Sequence, residues 1–141
     1  LTRKLNVNAH FLGRVPNHNL PALLAASSVF VLPSNYEGHP KSLIEAMATG
    51  IAVLGTDVAG IREVIQSGVT GLLCGTKPQE IATKLAILLR DKALCHALGK
   101  DGHRYATEHF SLRSIVELEL ENITLAMTSL TTSSSTTAPK I

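Results

Sequence analysis

The chain has 141 residues, 45% of them hydrophobic and 4% aromatic, which is the size and composition of one globular domain with a core of its own. Its formal charge of +2 is too small to indicate nucleic-acid binding, and no apolar run approaches the ~20 residues of a membrane-spanning helix. Cys74 and Cys95 are too few for a disulfide framework, so we expect a reducing compartment.

Short apolar runs and short helical patterns alternate in the first half of the chain. The run Val-Phe-Val-Leu at residues 29–32 is typical of a strand buried on both faces of a parallel sheet. Gly50 stands where a helix-ending glycine is expected. The patterns predict strands at 7–12, 29–32, 51–54 and 71–74, and helices at 19–27, 42–49 and 61–66. This alternation predicts an α/β fold, a doubly wound, Rossmann-like parallel sheet with right-handed crossovers.

Only helices are predicted in the second half of the chain. Residues 76–79 fit a capping box with an early proline, which starts the first of these helices, and residues 93–109 form the second. Ser111 can cap a last helix, whose apolar residues recur at one-face spacing: Val116, Leu120, Ile123 and Met127. Ser and Thr dominate from residue 128, so we predict one domain over residues 1–127 and a disordered tail over 128–141.

Two carboxylates, Glu37 and Glu45, flank the predicted helix that follows strand 29–32. Open α/β sheets bind ligands at the carboxyl ends of their strands, and this loop lies there. The free N–H groups of a helix N-terminus, here around Ser42 and Leu43, favour an anion. An anion site between two acids suits a phosphorylated sugar, with amides for the phosphate and carboxylates for the hydroxyl groups.

Each of these residues also has a purely structural interpretation. Ser42 and Glu45 match a capping box, and spacing alone favours that role for Glu45. For Glu37, a local turn and a binding role are equally supported, although Gly38 permits close approach of a ligand and Pro40 pre-sets the backbone that enters the helix. Lys41 could neutralise a phosphate at the helix start, although a lone exposed lysine is more often solvated surface, and His39 could donate a hydrogen bond to a sugar.

The histidine pattern gives no indication of a metal site. The six histidines show no close pair beside cysteines at the spacing of metal ligands. No glycine-rich dinucleotide or P-loop motif is present, and no nucleophile motif appears. We therefore expect no metal and no cofactor.

Five sequence blocks in order resemble one family. They lie at residues 11–15, 31–34, 37–50, 56–65 and 68–73. Over residues 7 to about 115 the chain resembles the C-terminal nucleotide-sugar domain of family-four retaining glycosyltransferases, which have the GT-B fold. Two glutamates at this spacing do not identify a family by themselves, whereas all five blocks in order and at the expected separations are specific for this family.

The resemblance implies a role for each matching position. Glu37 would be the catalytic-site acid that contacts the transferred sugar, together with the Gly38, His39, Pro40 and Lys41 loop. Glu45 would bind the ribose hydroxyls of the nucleotide diphosphate sugar, and the amides of Ser42 and Leu43 would hold its diphosphate. The backbone near Arg14 and Val15 would face the base. The family transfers the sugar with retention and generally needs no metal.

The chain departs from the family pattern at two places. Many relatives carry an aromatic residue at His39 and glycine at Pro40, which leaves the donor's sugar open. The family's first strand, its glycine loop, its phosphate-clamping Arg/Lys pair and the N-terminal acceptor domain would precede residue 1. We therefore expect an N-terminally truncated fragment that is inactive alone.

The resemblance also indicates a setting for the parent enzyme. Its acceptor would be a glycan or a lipid, bound by the missing domain, and its location cytoplasmic, with peripheral association at the inner membrane face allowed. The main alternative is a non-catalytic nucleotide-sugar-binding module or subunit. An epimerase or phosphorylase on the same scaffold is disfavoured by the block from Glu37 to Glu45.

Overall fold

A computed structural model describes residues 7–133 of the chain. One parallel sheet contains three strands in the order β1 (Val29–Leu32), β2 (Ala52–Thr56) and β3 (Leu72–Cys74). A 3-10 turn at Asn17–Asn19 precedes the first helix. The helices are α1 (Leu20–Ala25), α2 (Lys41–Ala48), α3 (Ala59–Arg62), α4 (Pro78–Arg90), α5 (Lys92–Phe110) and α6 (Leu112–Ser133).

The central strand β2 is buried along its whole length and divides the core into two clusters. Successive strand residues face opposite sides, so Val53 joins one cluster while Ala52 and Leu54 join the other. The first cluster includes residues of α1, α2 and α3, and the second includes residues of α4 and α5. Helices therefore cover both faces of the sheet, and the predicted doubly wound parallel sheet followed by C-terminal helices is confirmed.

The strand register brings the loops after the strands to one edge. Leu32 of β1 lies beside Gly55 of β2, and Thr56 lies beside Cys74 of β3. Since all three strands run parallel, the segments that begin at Pro33, Asp57 and Gly75 leave the sheet together. This carboxyl edge carries the predicted site.

The prediction of a strand at residues 7–12 is wrong, because this segment has no regular structure and pairs with no described strand. Its apolar side chains lie in solvent, with Phe11 89% exposed and Leu12 60% exposed. A strand forms only with a neighbour that accepts its backbone hydrogen bonds, and an apolar pattern does not supply that neighbour.

Strand β1 and helix α3 differ from their predictions by more than a small shift of their ends. Strand β1 is only half-buried, because β2 is its only neighbour among the described strands. The helix predicted at 61–66 is instead α3, which begins at Ala59 after the extended residue Val58. The Val58 carbonyl accepts from the N–H groups of Ile61 and Arg62, which starts the helix earlier.

The helix starts predicted in the second half of the chain are partly correct. The predicted box at residues 76–79 is wrong by one position, because Lys77 is the N-cap of α4 and Pro78 its first residue. The Lys77 N–H donates to Glu80 Oε2 at 3.3 Å. Ser111 caps α6 as predicted, since its Oγ accepts from the Ser114 N–H at 3.1 Å.

The apolar face of α6 finds no covering element among the described residues. Val116, Leu120, Ile123 and Met127 are between 46% and 63% exposed. The helix continues to Ser133, so it passes the boundary predicted at residue 127, and the remainder of the predicted tail, 134–141, lies outside the described residues. Within the described part of the chain, no helix has both the length and the apolar content needed to cross a membrane.

Both thiols are expected to react slowly in the folded chain. Cys74 and Cys95 are free, and burial raises the pKa of each, with nearby Glu80 and Asp91 acting in the same direction. The thiolate is the reactive form, so a raised pKa lowers its fraction at neutral pH. Labelling with Ellman's reagent at pH 7.5 should be slow in buffer and rapid for both thiols in guanidinium. Fast labelling of Cys74 in the native chain would contradict its burial.

Candidate functional site

The loop after β1 is held by a side chain from the end of β2. Thr56 is 1% exposed, and its Oγ1 donates to the Ser34 carbonyl. Ser34 Oγ in turn donates to Glu37 Oε1 at 2.6 Å. The half-buried Glu37 carboxylate is therefore oriented by its own loop, while its second oxygen has no donor among the described residues.

Removing the Thr56 hydroxyl should loosen this loop. Thr56→Val keeps the side-chain shape but leaves the Ser34 carbonyl without its donor, which we expect to lower the free energy of unfolding by about 1 kcal/mol. The matched control is Thr107→Val, whose exposed hydroxyl bonds only within its own helix, to His103 O. Urea unfolding measures both, and equal effects of the two substitutions would contradict the anchoring role of Thr56.

The N-terminus of α2 begins earlier than the predicted residue 42. Pro40 is its N-cap and Lys41 its first residue. The Pro40 carbonyl accepts from the Leu43 N–H at 3.0 Å and from the Ile44 N–H at 3.2 Å. The Ser42 N–H has no acceptor within residues 7–133, so it is the amide of this turn that remains free for an anion.

The early start of α2 removes the structural interpretation of Glu45. With Pro40 as the N-cap, Ser42 lies inside the first turn, no side chain caps the helix, and the Ser42–Glu45 box does not form. Glu45 is exposed, and its carboxylate has no hydrogen bond or ion pair in the described part of the chain. It lines a cavity of about 160 Å³ with Leu20, Pro21 and three other residues, so it is available to a ligand.

The remaining predicted residues around this turn differ in their exposure to solvent. His39 is exposed, and its ring centroid lies 6.5 Å from that of Phe110 at the end of α5. Lys41 is exposed and belongs to no ion pair found between described side chains. The Gly38 backbone is exposed, whereas Pro40 and the Leu43 side chain are buried and act as packing residues.

Arg14 and Val15 lie in the irregular segment before the 3-10 turn. Arg14 is exposed and Val15 half-buried. Neither lines the cavity that Glu45 lines, but Asn17 of the following turn does. The structure thus places this segment on the Glu45 side of α2.

Sequence reasoning did not predict which residues of other elements hold the loop after β1 in place. Thr56, Gly60 and Phe110 contact the loop through tertiary packing. Thr56 and Gly60 belong to the matching block at 56–65, but the sequence alone assigned neither of them a role at the loop. Asp57 at the same end of the sheet has a structural role, because its Oδ1 accepts from Arg62 Nε at 2.6 Å, which raises the pKa of Arg62. No group of three or more potential metal-binding side chains is found in residues 7–133.

Comparisons with known proteins match most of the chain to one family. The family model described as glycosyl transferases group 1 matches residues 1–105. N-acetyl-alpha-D-glucosaminyl L-malate synthase of Bacillus anthracis is 35% identical over 117 residues, which are 82% of this chain. Alpha-maltose-1-phosphate synthase of Mycolicibacterium smegmatis is 37% identical over 76% of it. The matched regions cover 31% and 30% of these relatives, so the chain spans about a third of their length.

Solved structures support the fold. Sucrose-phosphate synthase from Thermosynechococcus elongatus superposes with a TM-score of 0.81 and 26% identity, over 92% of this chain and 33% of that one. HepE of Anabaena, solved in complex with UDP and glucose, gives a TM-score of 0.79 at 23% identity, over 87% of this chain and 34% of that one. The second likeness is one of fold.

Proposed function

Because this chain belongs to the group 1 glycosyl transferases, we propose that it binds the nucleotide diphosphate sugar from which the complete enzyme takes the transferred sugar. One observation carries the proposal. The free Ser42 N–H lies at the start of α2, and Glu37 and Glu45 on either side of it each keep at least one carboxylate oxygen without a protein partner among the described residues.

The diphosphate is assigned to the N-terminal turn of α2. The partial positive charge of a helix N-terminus favours an anion, and Lys41 adds a full charge at the same point. The Leu43 N–H already donates to Pro40, so the Ser42 N–H is the principal amide for the phosphate. These cationic groups stabilise the diphosphate as it leaves, in place of a metal ion.

The sugar and the ribose are assigned to the two carboxylates. Glu45 accepts hydrogen bonds from the ribose hydroxyls, and the base lies toward Arg14 and Val15. Glu37 and the loop from Gly38 to Pro40 contact the transferred sugar. Ser34 holds one oxygen of Glu37, which orients the other toward the ligand.

We propose that the complete enzyme transfers the sugar to a hydroxyl of a glycan or a lipid, with retention of configuration. The bond between the anomeric carbon and the diphosphate oxygen breaks, and a bond from that carbon to the acceptor oxygen forms. The hydroxyl proton passes to the departing diphosphate, so a nucleoside diphosphate is the second product. Glu37 orients the sugar in this step.

Calorimetric titration of UDP and GDP into the chain tests the proposal. We expect one of them to bind at one site, which also names the preferred base. Absence of binding by a chain that circular dichroism shows to be folded would contradict the proposal. The chain alone should release little sugar to any acceptor, because GT-B transfer takes place in the cleft between two domains; appreciable turnover would contradict that part.

A further inference from the structure

Helix α3 packs against the backbone of the Glu37–Gly38 loop at Gly60. A Cβ placed on Gly60 would lie 2.3 Å from the Glu37 carbonyl oxygen and 2.6 Å from the Gly38 carbonyl oxygen. Real Cβ atoms essentially never come within 3.0 Å of another heavy atom, and both obstacles are backbone. Any side chain at position 60 would therefore move the loop or the helix.

This contact fixes the direction in which the loop amides point. From the position of that Cβ, the Glu37 carbonyl oxygen is 2.3 Å away and the carbonyl carbon 2.8 Å, so the carbonyl faces α3. In a trans peptide the C=O and N–H bonds point in opposite directions, and the described chain has no cis peptide bond. The N–H groups of Gly38 and His39 thus face away from α3, toward solvent, and neither has an acceptor in the described residues.

We propose that Gly60 is a positioning residue for the donor's sugar: its missing side chain lets α3 hold the Glu37 and Gly38 carbonyls, so that the Gly38 and His39 amides and the Glu37 carboxylate face the ligand. This inference rests on the proposed donor-binding function. Phe110 limits the loop from the His39 side, and Thr56 holds its start through the Ser34 carbonyl. The loop is supported at three points, of which Gly60 is the one that contacts the Glu37 and Gly38 peptides.

The test compares Gly60→Ala with Gly99→Ala. Gly99 in α5 is also buried against backbone, since its Cβ would lie 2.2 Å from the Gly50 carbonyl oxygen. Gly50 precedes β2, so this contact lies at the amino ends of the strands, away from the candidate site. The two variants introduce the same methyl group into the same kind of contact. They differ in whether the displaced backbone belongs to the site.

The measured quantity is the preference for a nucleotide sugar over its nucleoside diphosphate. Calorimetry gives the affinities of wild type and both variants for UDP-glucose, UDP-N-acetylglucosamine and GDP-mannose, and for UDP and GDP. Gly60→Ala should reduce the preference about tenfold, because the sugar loses correctly placed hydrogen-bonding partners, with little change in affinity for the diphosphate. Gly99→Ala should leave the preference unchanged, although it lowers stability.

The outcomes separate the two hypotheses. Failure of the wild type to bind any of the five nucleotides overturns the proposed function. Binding by the wild type with an unchanged preference in folded Gly60→Ala, or with an equal loss in Gly99→Ala, overturns the role of Gly60 alone.

If Gly60→Ala does not fold, the role of Gly60 can be tested on the wild-type chain by NMR. In a ¹⁵N-labelled chain, replacing the bound diphosphate with its nucleotide sugar should shift the amide resonances of Gly38, His39 and Gly60 together and leave that of Gly99 in place. Unshifted resonances at Gly38 and Gly60 would overturn the inference.

Discussion

Leu88→Ala is expected to lower the free energy of unfolding by about 2–5 kcal/mol, the usual cost of emptying a fully buried leucine site. Leu88 lies in α4, is 1% exposed, and belongs to the same core cluster as Leu54 of β2 and Leu98 of α5. Truncation leaves a cavity between the sheet and both helices, and a densely packed core closes over such a cavity only in part.

The adjacent residue provides the control for this substitution. Leu89 follows Leu88 in the same helix and is 56% exposed, so Leu89→Ala should change stability by no more than about 0.5 kcal/mol. Both variants carry the same change in side chain and in helix propensity. Urea denaturation followed by circular dichroism measures the difference, and a similar loss in both variants would contradict the placement of α4 on the sheet.

Glu45→Ala is expected to weaken nucleoside diphosphate binding by about 1–3 kcal/mol, which is the cost of leaving buried polar groups of the ligand unpaired. The stability of the chain should remain within about 0.5 kcal/mol of wild type, because Glu45 is exposed and has no hydrogen-bond partner among the described residues. A loss of binding with no loss of stability identifies a ligand contact.

Two further variants define the chemistry of this contact. Glu45→Gln keeps one acceptor oxygen, so it should bind more tightly than Glu45→Ala and less tightly than wild type. Glu119→Ala removes an exposed carboxylate from α6, outside the site, and should bind as wild type does. Glu45→Ala with wild-type affinity would contradict the ribose assignment, and a loss in Glu119→Ala would indicate a general effect of charge.

The sequence predicted the elements whose partners are close in the chain. The apolar runs at 29–32, 51–54 and 71–74 correspond to three strands that pair in sequence order, and the short helices between them return the chain to the same sheet. The segment at 7–12 also carries apolar residues, separated by Asn8 and His10, but it pairs with no neighbour among the described strands, so no strand forms there. Whether an apolar segment becomes a strand depends on that neighbour.

The sequence indicated the residue types of the candidate site but not the residues that support its loop. The loop carboxylate and the helix start lie at the expected sheet edge, because parallel strands bring their carboxyl ends together. The capping box at Ser42 was a misleading local signal, since Pro40 starts the helix earlier. Thr56 and Gly60 lie about twenty residues from the loop that they hold, so no short-range pattern identifies them.

Mapping the nucleotide onto the ¹⁵N-labelled chain by NMR tests most directly whether the turn at the start of α2 is the donor site. Saturation with UDP or GDP should shift the amide of Ser42 and those of its neighbours from Gly38 to Glu45 more than any others. The resonances of Gly75 and Lys84, which line a separate cavity at the end of β3, should stay in place. Shifts concentrated at Gly75 and Lys84, with Ser42 unaffected, would contradict the assignment.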